Sequence, residues 1–158
     1  MLALASGSPP VIHYCASLGP TCHSAEFLKQ CHPLGLRRFA LPFDWVHSSP
    51  ALVCDCVDDG FRLLLQRHLM ESGEWTAQKR RGGHRHLRTA TQAHIFEHHD
   101  PASVDSDFAY FQRAADRFRR LLDDRESRTL FFYLALDADP NERDSFAQDA
   151  RTMYASLR

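Results

Sequence analysis

The chain has 158 residues, of which 44% are hydrophobic and 25% are charged, and its formal net charge is -1. These values are typical of a soluble globular protein with one properly packed core, and they exclude recognition of nucleic acid through overall positive charge. No apolar run approaches the roughly 20 residues that span a bilayer. The N-terminus lacks the basic region of a signal peptide, so we expect a cytoplasmic location.

Five cysteines are present, an odd number whose spacing does not suggest a disulfide framework. Cys54 and Cys56 are too close in sequence for a zinc knuckle, which usually has two to four intervening residues. We therefore expect reduced thiols and no cofactor.

The first half of the chain has the pattern of a strand followed by two helices. Residues 10–18 form a short apolar run that a glycine and a proline close, which predicts a buried strand. A helical pattern follows over residues 21–32, with Thr21 as its N-cap. Pro50 occupies the favoured first position of a second helix, which we expect to run to about Met70.

The second half alternates between extended and helical patterns. Residues 71–93 are polar and contain glycine, which favours a loop or a loose hairpin, and residues 93–99 resemble a short strand. Phenylalanines at steps of three and four predict a helix over residues 106–123. Residues 129–136 are apolar throughout, which predicts a central strand covered on both faces, and a helix with a capping box follows over residues 139–157.

This alternation predicts a single α/β domain over residues 1–158, with a small, mostly parallel or mixed sheet flanked by helices. The sequence shows no internal repeat, no low-complexity tract and no linker. One core should therefore hold all of the predicted elements.

The segment SLGPTCHSAEFLKQCHPLGLRRFALPFDWVHSS closely resembles the opening signature of a family described as putative papain-like cysteine peptidases. That signature joins a strand end, a cysteine and helix, a leucine-arginine pair and a Pro-Phe-Asp-Trp segment. Here the matching positions are Ser17, Leu18, Gly19, Cys22, Ala25, Leu28, Leu36, Arg37, Pro42, Phe43, Asp44 and Trp45. The resemblance is strong over residues 17–49 and looser afterwards, where HIFEHHD and TLFFYLALD correspond.

The resemblance implies a cysteine-dependent hydrolase, a peptidase or another enzyme that cleaves acyl groups. It also implies a papain-like α+β fold as the alternative to the α/β fold. Members of the family often continue with another strand, so we expect this chain to be short at its C-terminus.

Cys22 is the candidate nucleophile because it lies at the first turn of a predicted helix, directly after a strand end. The positive end of a helix and its unpaired N–H groups favour a thiolate and lower its pKa. The same N–H groups can bind an oxyanion during acyl transfer. Open α/β sheets also bind ligands at this edge. The alternative is that Cys22 is a small apolar residue packed beside the sheet.

A cysteine nucleophile needs a histidine that the fold brings near it. His99 is preferred as acid and base, because the family segment has its histidine directly before an acid or a small residue, and His98 is the alternative. Asp44 is the provisional group that orients the imidazole, since an acid between two aromatics is costly to bury without a partner. Asp100 and Asp137 are the other candidates.

The predicted partner is a peptide or a small acyl substrate, with Trp45 and Arg37 as binding residues. Membrane and nucleic-acid partners are not expected, and the sequence does not indicate an oligomeric state. Two other functions stay open: a non-catalytic domain that binds a glycan or nucleotide, and a transferase in which Cys22 lines the pocket.

Three clusters could support these alternatives. Five histidines occur at positions 84, 86, 94, 98 and 99 and could hold a metal, although no HExxH spacing is present. The basic segment 78–88 could contact phosphates, or form a solvated loop. Arg113, Arg117 and Arg120 form a stripe opposite the phenylalanines, either a solvated face or the lining of a groove for a phosphoester or sulfated glycan.

Overall fold

The computed structural model describes residues 11–30, 39–76, 80–88, 94–134 and 143–158. In these ranges the chain forms four α-helices and five strands. The helices are α1 (Cys22–Gln30), α2 (Pro50–Asp58), α3 (Asp105–Asp123) and α4 (Arg143–Ser156). The strands are β1 (Tyr14–Gly19), β2 (Met70–Trp75), β3 (Arg80–His84), β4 (His94–Glu97) and β5 (Thr129–Tyr133).

The described strands form two small sheets. β1 pairs with β5 in parallel, with Ala16 opposite Phe131, whereas β2, β3 and β4 form an antiparallel sheet in that order. Val46 forms an isolated antiparallel bridge with Phe96 of β4. Helices combined with parallel and antiparallel strands confirm the predicted α/β class with mixed pairing.

One hydrophobic cluster contains residues from both sheets and from α2, α3 and α4. At its centre the rings of Phe43, Phe61 and Phe118 contact one another with centroid distances of 5.4 to 5.7 Å. All three side chains are fully buried, and burial of each stabilises the fold by about 2 kcal/mol. Phe43 belongs to a short 3-10 helix, Pro42–Trp45, so the core also fixes its neighbours Asp44 and Trp45.

The second helix is shorter than the sequence predicts. α2 ends at Asp58 rather than near Met70, because Gly60 and Phe61 both have a φ of 61°, which a helix does not accommodate. The Asp59 carboxylate then accepts backbone N–H groups of the following turn. Strand β2 starts where the helix was expected to end.

The prediction that β5 is covered on both faces is wrong for the described residues. In the part of the chain that the structure describes, β5 pairs with β1 alone. Leu130 is 48% exposed, and the Phe132 ring stacks on Phe27 of α1 with centroids 5.2 Å apart. The sequence pattern identified the strand but not its position in the sheet.

Several local predictions are confirmed. The helix expected over residues 106–123 is α3, and the Ser49 hydroxyl accepts the N–H of the third residue of α2 at 3.2 Å. The Thr21 hydroxyl accepts the N–H of the second residue of α1 at 3.4 Å. The capping residues predicted at 139–142 lie outside the described residues. Among the described helices, none combines the length and the apolar composition of a membrane span.

Candidate functional site

Cys22 is the first residue of α1 and follows β1 through a tight turn. Gly19 has a φ of +103°, and a Cβ at this position would lie 1.8 Å from the Ser48 hydroxyl oxygen, so glycine is required here. The Ser24 hydroxyl donates to the Gly19 carbonyl and closes the turn. The thiol is therefore held, half-buried, beyond the C-terminal end of β1.

The segment after the 3-10 helix lies against this turn. The Ser48 N–H donates to the Pro20 carbonyl at 3.0 Å, and the Ser48 hydroxyl donates to the Leu18 carbonyl at 2.6 Å. One residue earlier, the His47 N–H donates to the Ile95 carbonyl of β4 at 2.7 Å. These bonds anchor His47 between β4 and the turn that carries the thiol.

The His47 side chain binds a buried carboxylate. His47 Nε2 lies 3.0 Å from Glu97 Oε2, with the two side chains 17% and 10% exposed. Donation from Nε2 leaves Nδ1 as the acceptor, and Nδ1 has no hydrogen-bond partner among the described residues. Arg81 Nε lies 3.4 Å from the same Glu97 oxygen. Burial raises the pKa of Glu97, but the His47 hydrogen bond and the Arg81 charge outweigh it, so that the pKa is lowered.

The charge of Glu97 also acts on Cys22. Burial, and then the carboxylates of Glu26 and Glu97, raise the pKa of the Cys22 thiol, against the weaker opposite effects of its own N–H and of Lys29. The sequence predicted a lowered pKa from the helix N-terminus, and that prediction is wrong. The reason is first the burial of the thiol, and then the charges of two carboxylates, one of them a turn further along α1. The ordinary pKa of a cysteine thiol is already above 7, so a raised pKa favours the neutral thiol over the thiolate at pH 7.

The two histidines favoured by the sequence lie just after the end of β4. His98 is exposed, with a φ of 63°, and its ring meets Trp45 edge-on with centroids 5.4 Å apart. His99 stacks on Tyr110 with centroids 4.7 Å apart. Its Nδ1 lies 3.4 Å from Asp107 Oδ1, an ion-pair distance without hydrogen-bond geometry. Burial lowers the pKa of His99 more than Asp107 raises it.

The structure thus contains two histidine–carboxylate pairs, His47–Glu97 and His99–Asp107. Among the described residues, no hydrogen bond joins the Cys22 thiol to any histidine. Of the carboxylates in these pairs, Glu97 is among the groups that raise the pKa of the Cys22 thiol. No local sequence signal pointed to His47, because the acid it binds, Glu97, is fifty residues further along the chain.

Two acids predicted to orient the histidine serve as caps in the structure. Asp44 is 2% exposed, and its Oδ2 accepts the Leu41 N–H at 3.0 Å at the start of the 3-10 helix. Asp100 is fully buried and accepts the Trp75 indole N–H at 2.7 Å and the Ala102 N–H at 3.1 Å. A catalytic role for either acid stays a prediction.

The remaining predicted residues are divided between the described and undescribed parts of the chain. Trp45 is half-buried, and Lys29 Nζ lies 4.8 Å from its ring centroid, a cation–π distance. With the His98 ring on its edge, Trp45 lies between α1 and the end of β4. Arg37, the second predicted binding residue, and Asp137 lie outside the described residues.

The basic segment is paired with acids. Arg85 and Arg88 both reach Glu71 of β2, at 3.3 and 3.1 Å. Arg80 and Arg81 of β3 pair with the acids of the two histidine–carboxylate pairs, at 3.5 and 3.4 Å. These contacts give the described arginines a structural use, and residues 80–84 of the segment form strand β3 rather than an open loop.

The histidine cluster does not form a metal site within the described residues. No group of three or more histidine, cysteine, aspartate or glutamate side chains there has the arrangement to hold an ion. His84 is fully buried, and its Nδ1 accepts the Leu87 N–H at 3.1 Å while Nε2 lies 3.1 Å from the Leu63 carbonyl. Burial lowers the pKa of His84, as expected for a neutral histidine used in the fold.

Comparison with known proteins agrees with the signature in the sequence. The profile of the family described as putative papain-like cysteine peptidase matches residues 13–155. Among curated proteins and solved structures, none matches the chain. The match covers nearly all of the chain, including the cysteine turn, the Pro-Phe-Asp-Trp segment and β4. The chain belongs to the family of putative papain-like cysteine peptidases.

Proposed function

We propose that the protein is a cysteine-dependent hydrolase of amide, ester or thioester groups, with Cys22 as its nucleophile. The observation that carries the proposal is the contact between the turn that carries the thiol and the segment that carries the His47–Glu97 pair, through the bond from the Ser48 N–H to the Pro20 carbonyl. A thiol, an imidazole and a carboxylate are the groups that a cysteine hydrolase combines. Membership of the family supports peptide or other acyl substrates.

In this proposal His47 is the general base. Its Nδ1 takes the thiol proton while the Cys22 sulfur attacks the acyl carbon, and the imidazolium then gives that proton to the leaving amine, alcohol or thiol. A water that His47 deprotonates attacks the resulting thioester, which releases the acid and restores the thiol. Glu97 holds the Nε2–H and stabilises the imidazolium, while the Cys22 N–H at the start of α1 can bind the oxyanion.

A neutral resting thiol is consistent with these roles. Because burial, and then the two carboxylates, raise the pKa of Cys22, the thiolate does not accumulate before substrate binds. Proton removal is then coupled to attack, which requires a base with a free ring nitrogen. The His47–Glu97 bond of 3.0 Å provides that arrangement.

His99 remains the rival base, as the family resemblance predicts. In the structure the acid beside it is Asp107, at 3.4 Å, rather than the predicted Asp44. This pair also packs on Tyr110 and near Trp45. Substitution of the two histidines in parallel decides between the assignments.

The test uses p-nitrophenyl acetate, followed by nitrophenolate release and by mass spectrometry of the acylated peptide. We expect one acetyl group per chain, on Cys22, and none in Cys22→Ser. His47→Gln should slow acylation by about 10² or more, while His99→Gln stays within about twofold of the wild type. Cys54→Ser is the matched control, since Cys54 is a buried thiol on α2.

Each contrary outcome has a separate meaning. Unchanged turnover in Cys22→Ser, or an acetyl group on another residue, would overturn the hydrolase proposal. A Cys22 acyl-enzyme that forms normally in His47→Gln but slowly in His99→Gln would keep the hydrolase and transfer the base to His99.

A further inference from the structure

A cleft of about 280 Å³ lies at the opposite end of β1 from Cys22. Tyr14, the first residue of β1, and Phe39 form one wall, with ring centroids 5.4 Å apart. Leu121 of α3 provides a buried apolar floor. β1 has 6 residues, so at about 3.3 Å per residue this cleft is separated from the thiol by roughly 20 Å. We call it the aromatic–arginine cleft.

Two arginines of α3 give the aromatic–arginine cleft a positive rim. Arg117 and Arg120 are both exposed and lie about one turn apart. One Arg117 nitrogen donates to the Ala40 carbonyl at 3.2 Å, which positions the guanidinium and leaves other N–H groups unused. The Arg120 guanidinium has no ion pair or hydrogen bond with any described residue. These are two of the stripe of arginines whose purpose the sequence left open.

Asp124 also lines the cleft and keeps its negative charge, but two arginines outnumber it and, among the described residues, neither forms an ion pair with it. It follows Arg120 by four residues, a spacing at which a helix normally forms an ion pair. Its Oδ1 instead accepts the N–H groups of Glu126 and Ser127, at 3.1 and 3.2 Å, and closes the turn after α3. The acid is thus used by the turn, and the two guanidinium groups remain available to a ligand.

We propose that the aromatic–arginine cleft binds a small aromatic anion, with its ring against Tyr14 and Phe39 and its carboxylate or phosphate at Arg117 and Arg120. Offset or edge-on ring contacts would hold the planar part, and charge-assisted bonds from the guanidinium forks would hold the anionic part. The volume suits a ligand of one or two rings, slightly smaller than a drug-sized molecule. The inference does not depend on the hydrolase proposal, because it uses none of the residues around Cys22.

The test is calorimetric titration of the full chain with four probes that separate ring from charge. Phenyl phosphate and benzoate contain both features, inorganic phosphate lacks the ring, and benzyl alcohol lacks the charge. We expect the aromatic anions to bind at least about tenfold more tightly than inorganic phosphate, and benzyl alcohol not to bind measurably. Either order of phenyl phosphate and benzoate supports the cleft and identifies the preferred anion. Equal affinity for phenyl phosphate and inorganic phosphate would overturn the proposal.

Variants locate the binding. Arg120→Gln should weaken phenyl phosphate about tenfold, and Phe39→Leu, at a ring 41% exposed, should weaken it several-fold without loss of the core. Arg113→Gln is the matched control, an exposed arginine of the same helix that does not line the cleft. An equal loss in Arg113→Gln would mean diffuse attraction to the helix and would also overturn the proposal. Thermal unfolding of each variant verifies that the chain is folded.

Discussion

Two buried carboxylates three residues apart at the end of β4 have different surroundings. Asp100, with no exposed surface, accepts two backbone N–H groups, serine hydroxyls and the Trp75 indole N–H. Glu97, 7% exposed, has only side-chain partners among the described residues, namely His47 and Arg81. Asp100 therefore holds the chain in a turn, whereas Glu97 binds two ionisable side chains.

This difference separates a residue that maintains the fold from a residue of the proposed site. A carboxylate whose lone pairs are taken by backbone N–H groups cannot exchange partners without opening the turn. A carboxylate that binds an imidazole can stabilise that ring as it gains and loses a proton. We therefore expect changes at Asp100 to alter stability, and changes at Glu97 to alter the reactivity of Cys22.

The largest effect on stability is expected at Gly19, in the turn that precedes Cys22. Gly19→Ala should destabilise the protein by about 3–5 kcal/mol, since a φ of +103° is unfavourable for alanine and its Cβ would overlap the Ser48 hydroxyl. Gly60→Ala is the control: its φ is +61°, but nothing lies within 4 Å of the added Cβ. There the cost should be about 1 kcal/mol. If urea denaturation showed equal losses of unfolding free energy in the two variants, Ser48 would not restrict the turn before Cys22.

The next largest effect is expected at Asp100, the carboxylate that holds the turn after β4. Asp100→Ala should cost about 3 kcal/mol, because it leaves the Trp75 indole N–H and two backbone N–H groups without their acceptor. In the folded variant the iodoacetamide labelling rate of Cys22 should stay within about twofold of the wild type. A large change in that rate would mean that Asp100, like Glu97, affects the reactivity of Cys22, and the contrast between the two acids would be lost.

Local sequence signals predicted much of the fold. The spacing of phenylalanines gave α3 nearly to its ends, and Ser49-Pro50 gave the start of α2. The end of α2 was missed because it depends on a residue, Phe61, that has a positive φ and is packed among core rings. The apolar sequence of β5 likewise suits a central strand, but it does not show which strands lie beside β5.

The proposed site was predicted only in part, for the same reason. Cys22 was identifiable because its placement after a strand and before a helix is local in sequence. His47 was missed because its partner, Glu97, is fifty residues away and is brought close by the Val46–Phe96 bridge. The sequence did indicate that Asp44 would be buried, but not that the Leu41 N–H would occupy one of its oxygens.

Glu97→Gln should have a smaller effect on the protein. It should change the rate of Cys22 labelling and the rate of acyl hydrolysis in opposite directions. Removal of its charge lowers the raised pKa of Cys22, so labelling by iodoacetamide at pH 8 should become roughly threefold faster. Acyl hydrolysis should become at least about tenfold slower, because His47 loses the carboxylate that stabilises its imidazolium.

The control for Glu97→Gln is Glu71→Gln, which removes a carboxylate from β2 that pairs with Arg85 and Arg88. Neither rate should change more than about twofold in this variant. If both rates fell together in Glu97→Gln, the carboxylate would be a structural support, and its contrast with Asp100 would disappear.

The smallest effect is on acid stability. Because the pKa of Glu97 is lowered in the folded chain, its ionised form stabilises the protein at pH values above the ordinary glutamate pKa of about 4.3. That contribution is lost as the pH falls below this value and Glu97 takes up a proton. The difference in unfolding free energy between the wild type and Glu97→Gln should therefore shrink between pH 6 and pH 3. The side chain is 10% exposed, so the trend should persist in 1 M NaCl, where exposed ion pairs are screened. A constant difference across this range would mean that Glu97 is not held as the charged partner of His47, and the proposed base would lose the group that orients it.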